Sequence, residues 1–195
     1  GCTQSSPTTV TCADPVEAAS PQANGRFVGA RVSLGDRADK LSVATSSEDG
    51  TDSGRIAISD GSGNDGIDAR GARFPGYAVT VANGAGNDSF RGGNGEDTLA
   101  CGPSNDTAAG NKGDDRLCGG KGRDLLSRGK GNDRLTGGAG NDVVLGDSGD
   151  DILRGGAGRD VLRGGPGNDI LVGGPGLDAL AGGPGIDTLD GLPGP

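Results

Sequence analysis

Aspartate side chains recur every nine residues through the second half of the sequence. Twelve follow one another without a gap, and an earlier, less regular copy of the pattern adds one more. Calcium accepts about six to eight oxygen ligands, from carboxylates and backbone carbonyls, in a loose geometry. Carboxylates held close together repel one another, and a calcium ion between them removes the repulsion. The candidate calcium ligands are Asp65, Asp88, Asp97, Asp106, Asp115, Asp124, Asp133, Asp142, Asp151, Asp160, Asp169, Asp178 and Asp187.

A nine-residue unit frames these aspartates, which we place at slot 6 of slots 1 to 9. The unit GGAGNDVVL at 137–145 shows the pattern. Slot 4 is Gly in eleven of the twelve regular units, slot 2 is Gly in ten, and slot 8 is apolar in all. So strict a period indicates a repeat architecture, in which each unit forms the same small structural element. The departures are Ser104 at slot 4 and Asn111 and Asp147 at slot 2.

The residue types in the unit predict a tight turn followed by a short strand. Glycine takes positive φ at little steric cost, and slots 7 to 9 can form a strand that points one apolar side chain inward. Two units then close one flattened coil, and coils stack at a strand spacing of about 4.8 Å. We predict an all-β fold, a parallel β-roll (β-solenoid). The slot-6 aspartates should form two columns, one starting at Asp88 and the other at Asp97.

The unit resembles the RTX (repeats-in-toxin) nonapeptide G-G-x-G-x-D-x-U-x of haemolysin-type calcium-binding proteins. The resemblance covers 83–190. It implies that each slot-6 aspartate bridges calcium ions along its column, and that several ions are bound. The alternative is that these aspartates only form turns of the Asx type. The chain has 24 Asp against three Glu, and this bias favours a short, fixed ligand arm over a solvated acidic surface.

Longer spacings precede the regular region. Slot-6 residues are 26 residues apart from Asp39 to Asp65 and 23 apart from Asp65 to Asp88. These spacings equal one coil plus a longer loop, so we predict that the solenoid begins before the regular repeats. The alternative is a small independent β domain. The predicted segments are an N-terminal cap, hairpin and loop at 1–26, irregular β-helix coils with degenerate repeats at 27–82, the regular β-roll at 83–190 and a tail at 191–195.

Composition and charge argue against several classes of function. A net charge of −9 disfavours nucleic acids and anionic membranes as partners, and no apolar run is long enough for a membrane span. The absence of His excludes Ser-His-Asp and Cys-His triads and His-containing zinc protease sites. A polysaccharide-active β-helix enzyme usually presents aromatic sugar platforms, yet aromatic residues make up 2% of the chain. Ice binding would need regular Thr or Asn ranks, which slots 7 and 9 lack. We predict a monomer that is not an enzyme.

Four cysteines in an apparently secreted chain suggest disulfides. Zinc is the competing interpretation, but the sequence has no C-x-x-C pair. Cys2 and Cys12 flank a Ser-Ser-Pro turn and could clip a hairpin. Cys101 and Cys118 are one coil apart with an offset of one residue, so their Cα atoms should be about 6 Å apart, which suits a disulfide. The sequence has no initiator Met and no signal-like stretch, so we expect a processed chain or a fragment.

These observations predict calcium ion binding by an extracellular or cell-surface β-roll. Its role would be that of a structural or adhesion module, the latter with a cell-surface or glycan ligand. The alternative is a non-catalytic appendage of a larger secreted hydrolase or toxin. Each unit buries only one large apolar side chain, so the core is thin compared with the backbone that must be ordered. Folding should therefore depend on calcium. Weaker sites are predicted near Lys112, Lys121, Arg123, Lys130 and Arg159.

Overall fold

The computed structural model describes residues 3–6, 9–11, 29–44, 54–72 and 76–191. Within these ranges every regular element is a β-strand. The strands are β1 Thr3–Ser6, β2 Thr9–Thr11, β3 Gly29–Ser33, β4 Lys40–Ala44, β5 Gly54–Ser59, β6 Gly66–Gly71, β7 Tyr77–Ala82, β8 Ser89–Arg91, β9 Thr98–Ala100, β10 Gly102–Pro103, β11 Thr107–Lys112, β12 Arg116–Lys121, β13 Leu125–Lys130, β14 Arg134–Ala139, β15 Val143–Ser148, β16 Ile152–Ala157, β17 Val161–Arg163, β18 Ile170–Val172, β19 Ala179–Ala181 and β20 Thr188–Asp190.

Two parallel sheets make up the body of the molecule, and β1 and β2 pair separately as an antiparallel ribbon. One sheet has the order β20-β18-β16-β14-β12-β9-β7-β5-β3, with β10 beside β12. The other has the order β19-β17-β15-β13-β11-β8-β6-β4. The chain thus alternates between the sheets, and each coil adds one rung to both. The predicted all-β parallel β-roll is confirmed.

The strand register advances by one coil of eighteen residues. Leu117 pairs with Leu135, and Leu135 pairs with Leu153. In the regular roll the slot-8 side chains stack into the core, which is one apolar residue wide along each sheet. On the last described coils the burial fades, and Leu189 is 47% exposed. The buried slot-8 residues are Phe90, Leu99, Ala108, Leu117, Leu126, Leu135, Val144, Leu153, Leu162 and Leu171.

The strands in the middle of the roll are longer than slots 7 to 9. Strands β11 to β16 each have six residues and run from slot 7 to slot 3 of the next unit. In β13 the slot-8 residue Leu126 and the slot-1 residue Arg128 are both buried, so slot 1 also points inward. The slot-2 glycines permit this extension, because Gly120 and Gly138 pair across coils at φ 120° and 122°.

The departures from Gly at slots 2 and 4 show what these slots require. Ser104, Asn111 and Asp147 have φ of 84°, 78° and 68°, and they are the non-glycine residues with positive φ among those described. The left-handed backbone is therefore retained when glycine is replaced. Hydrogen bonds support two of them: Asn111 Nδ2 donates to the Gly92 carbonyl, and Asp147 Oδ2 accepts from Ser127 Oγ.

The strands before the regular repeats continue both sheets. Ile56 pairs with Val79 and Val81 pairs with Leu99 in one sheet, and Ile67 pairs with Phe90 in the other. Parallel pairing thus joins the irregular coils to the regular roll.

Cys101 and Cys118 form the predicted disulfide, with their Cα atoms 4.6 Å apart. The predicted Cys2–Cys12 clip lies outside the described residues. Over the described ranges, no helix is long and apolar enough to cross a membrane.

Candidate metal centre

The slot-6 aspartates lie inside the roll in two stacked columns. Eleven of the thirteen predicted ligands are buried, and Asp178 and Asp187 on the last coils are half-buried. Along each column the backbone N–H of one aspartate donates to Oδ1 of the aspartate on the next coil, at 2.6–3.0 Å. One column runs from Asp65 to Asp178 and the other from Asp97 to Asp187. These bonds fix the position of every carboxylate.

The second carboxylate oxygen, Oδ2, is buried in most of these side chains and accepts no hydrogen bond from the protein. Two aspartates are exceptions. Asp97 Oδ2 accepts the Gly93 N–H, and Asp106 Oδ2 accepts a hydrogen bond from Asn83 Nδ2–H, both at 2.7 Å. A buried charged oxygen without a partner is costly, so each one calls for a cation or a donor. The unpaired Oδ2 atoms belong to Asp65, Asp88, Asp115, Asp124, Asp133, Asp142, Asp151, Asp160, Asp169 and Asp178.

The slot-1 glycine lies directly against these oxygens. A Cβ atom placed on Gly137 would lie 2.5 Å from Asp142 Oδ2 and 2.7 Å from the carbonyl oxygen of Gly155 on the next coil. Both distances are too short for a Cβ atom, so glycine at slot 1 allows a carboxylate oxygen and a backbone carbonyl oxygen from neighbouring coils to lie on either side of one point. These are the two oxygen types that calcium prefers in proteins, so the residues present fit a calcium ion.

A second hydrogen-bond ladder, at slot 5, separates turn formation from metal binding. Asn132 Oδ1 accepts the N–H of Asp150 at 2.9 Å, and Asp150 Oδ1 accepts the N–H of Asn168 at 2.8 Å. Asn and Asp side chains thus accept the same kind of backbone hydrogen bond on these exposed turns. Slot 6 makes an equivalent bond through Oδ1, yet none of its twelve regular units uses Asn. Turn chemistry does not explain that choice, whereas a need for the charge and the second oxygen does.

Burial makes the columns difficult to ionise without a cation. It raises the pKa of Asp115 to about 8 and the pKa of Asp106 and Asp151 to about 7. Donation from backbone N–H groups opposes these shifts, and the charges of neighbouring column aspartates add to them. Burial also raises the pKa of Asp97 to about 6. At neutral pH the columns therefore need positive charge to remain both ionised and buried.

Arg128 supplies such a charge from within the chain. Its side chain is fully buried at slot 1, and Nη1 lies 3.6 Å from Asp133 Oδ1. Nη2 donates to the carbonyl of Leu117 on the opposite sheet at 3.5 Å. Burial lowers the pKa of Arg128 to about 10, and the charges of Asp133, Asp115 and Asp151 oppose that shift. The guanidinium is therefore an internal cation in the column that runs from Asp97 to Asp187.

Sequence reasoning missed two residues of this interior. Neither Arg128 nor Asp60 is among the candidate residues that the sequence indicated. Asp60 occupies slot 1 of DGSGNDGID at 60–68, is 0% exposed and has an unpaired Oδ2. A charged residue at a slot that is Gly in nine of the twelve regular units was the available signal. By contrast, the basic residues predicted to weaken nearby sites are exposed, at strand ends or on turns: Lys112, Lys121, Arg123, Lys130 and Arg159.

Stacked parallel coils with inward columns of aspartate define a β-roll of the calcium-binding class. A family model of the RTX calcium-binding nonapeptide repeat (4 copies) matches residues 84–107, 98–126, 129–153, 145–180, 154–189 and 173–194. The matched segments cover more than half of the chain, which therefore belongs to the RTX calcium-binding nonapeptide repeat family. Arg128 falls between two of these segments. A comparison with curated proteins finds no significant match to this chain.

Proposed function

We propose that this protein is an extracellular, non-catalytic structural module whose β-roll folds when its slot-6 columns bind calcium. The observation that carries the proposal is the set of ten buried slot-6 Oδ2 atoms that accept no hydrogen bond from the chain. Their Oδ1 partners are already committed to the ladder, so each carboxylate is held rigidly with one oxygen left for a cation.

The chain's own residues have distinct parts in this binding. The slot-6 aspartates provide Oδ2, and slot-1 carbonyls, such as that of Gly155 beside Asp142, provide a second oxygen. Bound calcium would supply the positive charge that balances the buried carboxylates. Because these oxygens come from neighbouring coils, the binding site does not exist before the coils stack, and binding and folding are coupled.

Two further features support an extracellular setting. RTX repeats are typical of secreted proteins, and extracellular modules bind calcium at about 10⁻⁴–10⁻³ M. The Cys101–Cys118 disulfide suits an oxidising compartment. We also propose that the irregular coils at 27–82 and the regular roll at 83–190 fold as one unit, since their strands share both sheets.

Two adjacent aspartates provide a matched test. Asp151→Asn keeps the Oδ1 acceptor for the Asp133 N–H. It removes a negative charge from both gaps beside Asp151, a gap being the interval between two successive aspartates of a column. Asp150→Asn makes the same change in net charge on the exposed slot-5 ladder, where Asn already occurs on other coils. Circular dichroism during a calcium titration, with magnesium as the comparison ion, gives the calcium midpoint of folding.

We expect Asp151→Asn to raise the calcium midpoint and Asp150→Asn to leave it close to that of the wild type. Magnesium should not substitute, since it requires a compact octahedral shell and retains its water. Equal midpoints for the two variants, or a β spectrum that persists in excess chelator at neutral pH, would refute the proposal.

A further inference from the structure

Asp60 differs from other slot-1 residues because it places a carboxylate where the regular roll usually has glycine. It follows strand β5 directly, and its side chain is completely buried. Its Oδ1 accepts the N–H of Gly84 on the next coil. The backbone of Gly84 passes so close that a Cβ there would lie 2.9 Å from Asp60 Oδ1. Asp60 is therefore an integral part of the coil interface.

Two slot-6 carboxylates meet Asp60 in the interior. One carboxylate oxygen from each of Asp60, Asp65 and Asp88 lies within 4.8 Å of the others, and this is the one such group of three acidic, His or Cys residues within the described ranges. The three side chains are 0%, 3% and 6% exposed. The other slot-6 gaps bring together only two carboxylates.

The hydrogen bonds of this cluster leave one oxygen of each carboxylate unused. Asp65 Oδ1 accepts the Asp39 N–H at 2.7 Å, and Asp88 Oδ1 accepts the Asp65 N–H at 2.8 Å. The Oδ2 atoms of Asp60, Asp65 and Asp88 accept no hydrogen bond from the chain. Each carboxylate of the cluster therefore has one buried, unpaired acceptor.

No side-chain cation compensates this charge in the described part of the chain. The ion pairs found there are Arg70–Asp68 and Arg128–Asp133, and neither involves the cluster. Three carboxylates in a buried site without a counter-ion strongly favour binding of a hard cation.

We infer that Asp60, Asp65 and Asp88 form the tightest calcium site of the protein and fasten the last irregular coil to the first regular one. The inference deepens the proposed calcium-binding function and rests on it. Ligand charge sets calcium affinity in proteins, and this site has one more carboxylate than the regular gaps. Its position explains its use: Asp65 and Asp88 are 23 residues apart instead of eighteen, so this coil interface must hold a longer loop in register.

The test measures calcium affinity and not only folding. Asp60→Asn keeps the side-chain size and the acceptor for the Gly84 N–H, but removes one of the three charges. Equilibrium dialysis of the full chain against radioactive calcium should show that the dissociation constant of the tightest binding step increases about tenfold or more. That step should then no longer be separate from the other binding steps. Asp36→Asn makes the same charge change at an exposed residue of the preceding coil and should leave the isotherm unchanged.

A second variant covers the case in which Asp60→Asn does not fold. Asp60→Gly restores the residue usual at slot 1, and it too should abolish the tightest step while the regular sites continue to bind. An unchanged tightest step in both variants would overturn the inference while leaving the proposed function intact. A wild-type chain that binds no calcium would overturn both.

Discussion

Replacing Arg128 with glycine tests whether a protein side chain has taken the place of an ion. The guanidinium Nη1 lies 3.6 Å from Asp133 Oδ1, and both side chains are fully buried. At that separation two unit charges interact by about 4–5 kcal/mol at an effective dielectric constant near 20. Removing one partner of a buried pair typically costs about 3–5 kcal/mol, because the other charge is left uncompensated. Arg128→Gly should lower the free energy of unfolding by that amount before any additional calcium binds.

The same substitution restores the slot-1 glycine and opens a space beside Asp133. We expect the variant to bind one more calcium ion than the wild type. At a calcium concentration a hundred times the dissociation constant, binding of the additional ion raises the free energy of unfolding by about 2.7 kcal/mol. The loaded variant should then remain less stable than the wild type by up to about 2 kcal/mol.

Two measurements check this expectation. Equilibrium dialysis gives the number of bound ions, and chemical denaturation at several calcium concentrations gives the dependence of stability on calcium. The slope of stability against the logarithm of the calcium concentration should increase by the equivalent of about one bound ion. The midpoint of calcium-induced folding should rise. Arg154→Ala removes the same charge from an exposed slot-9 side chain and should change neither. If Arg128→Gly binds no additional ion and folds at the wild-type midpoint, Arg128 is not an internal counter-ion.

Two other expectations follow from the interior of the roll. Reducing the disulfide between Cys101 and Cys118, which are 17 positions apart in the sequence, should lower the free energy of unfolding by about 3 kcal/mol and raise the calcium midpoint, as measured by titration with and without reductant. The pKa of Asp115 is raised to about 8 and that of Asp97 to about 6, so protonation of these groups stabilises the metal-free fold below about pH 4, and the stabilisation is lost as the pH rises through 6–8. In chelator, the β signal by circular dichroism should therefore increase as the pH falls from 8 to 5, and a signal that is independent of pH would contradict this.

Period and residue type were sufficient to predict the fold and the two columns of aspartate. Nine-residue spacing gives the coil length, glycine marks the turn, and one apolar slot identifies the inward face of the strand. The Cys101–Cys118 disulfide followed from the same coil length. These features are local or strictly periodic, so they can be read from the sequence without knowing the path of the chain.

The roles of Asp60 and Arg128 could not be predicted in the same way. Both residues occupy slot 1, and the predicted strand ended at slot 9, so the direction of a slot-1 side chain was undetermined. The structure extends the strands to slot 3, and alternation along the strand then places slot 1 in the interior with slot 8. Whether a charged side chain there meets carboxylates depends on the stacking of coils, which lies beyond local sequence. The binding roles of the thirteen slot-6 aspartates stay predictions.

Stacking in single file also determines how the molecule should respond to mechanical load. Each described coil is hydrogen-bonded only to the coils before and after it, so tension on the two ends should detach terminal coils in succession instead of shearing the whole sheet. Each detached coil of eighteen residues would lengthen the chain by about 60 Å. The coil closed by Cys101 and Cys118 would add almost no length, because its extension is covalently bridged. The roll would behave as an extensible tether with one step missing from its force–extension curve.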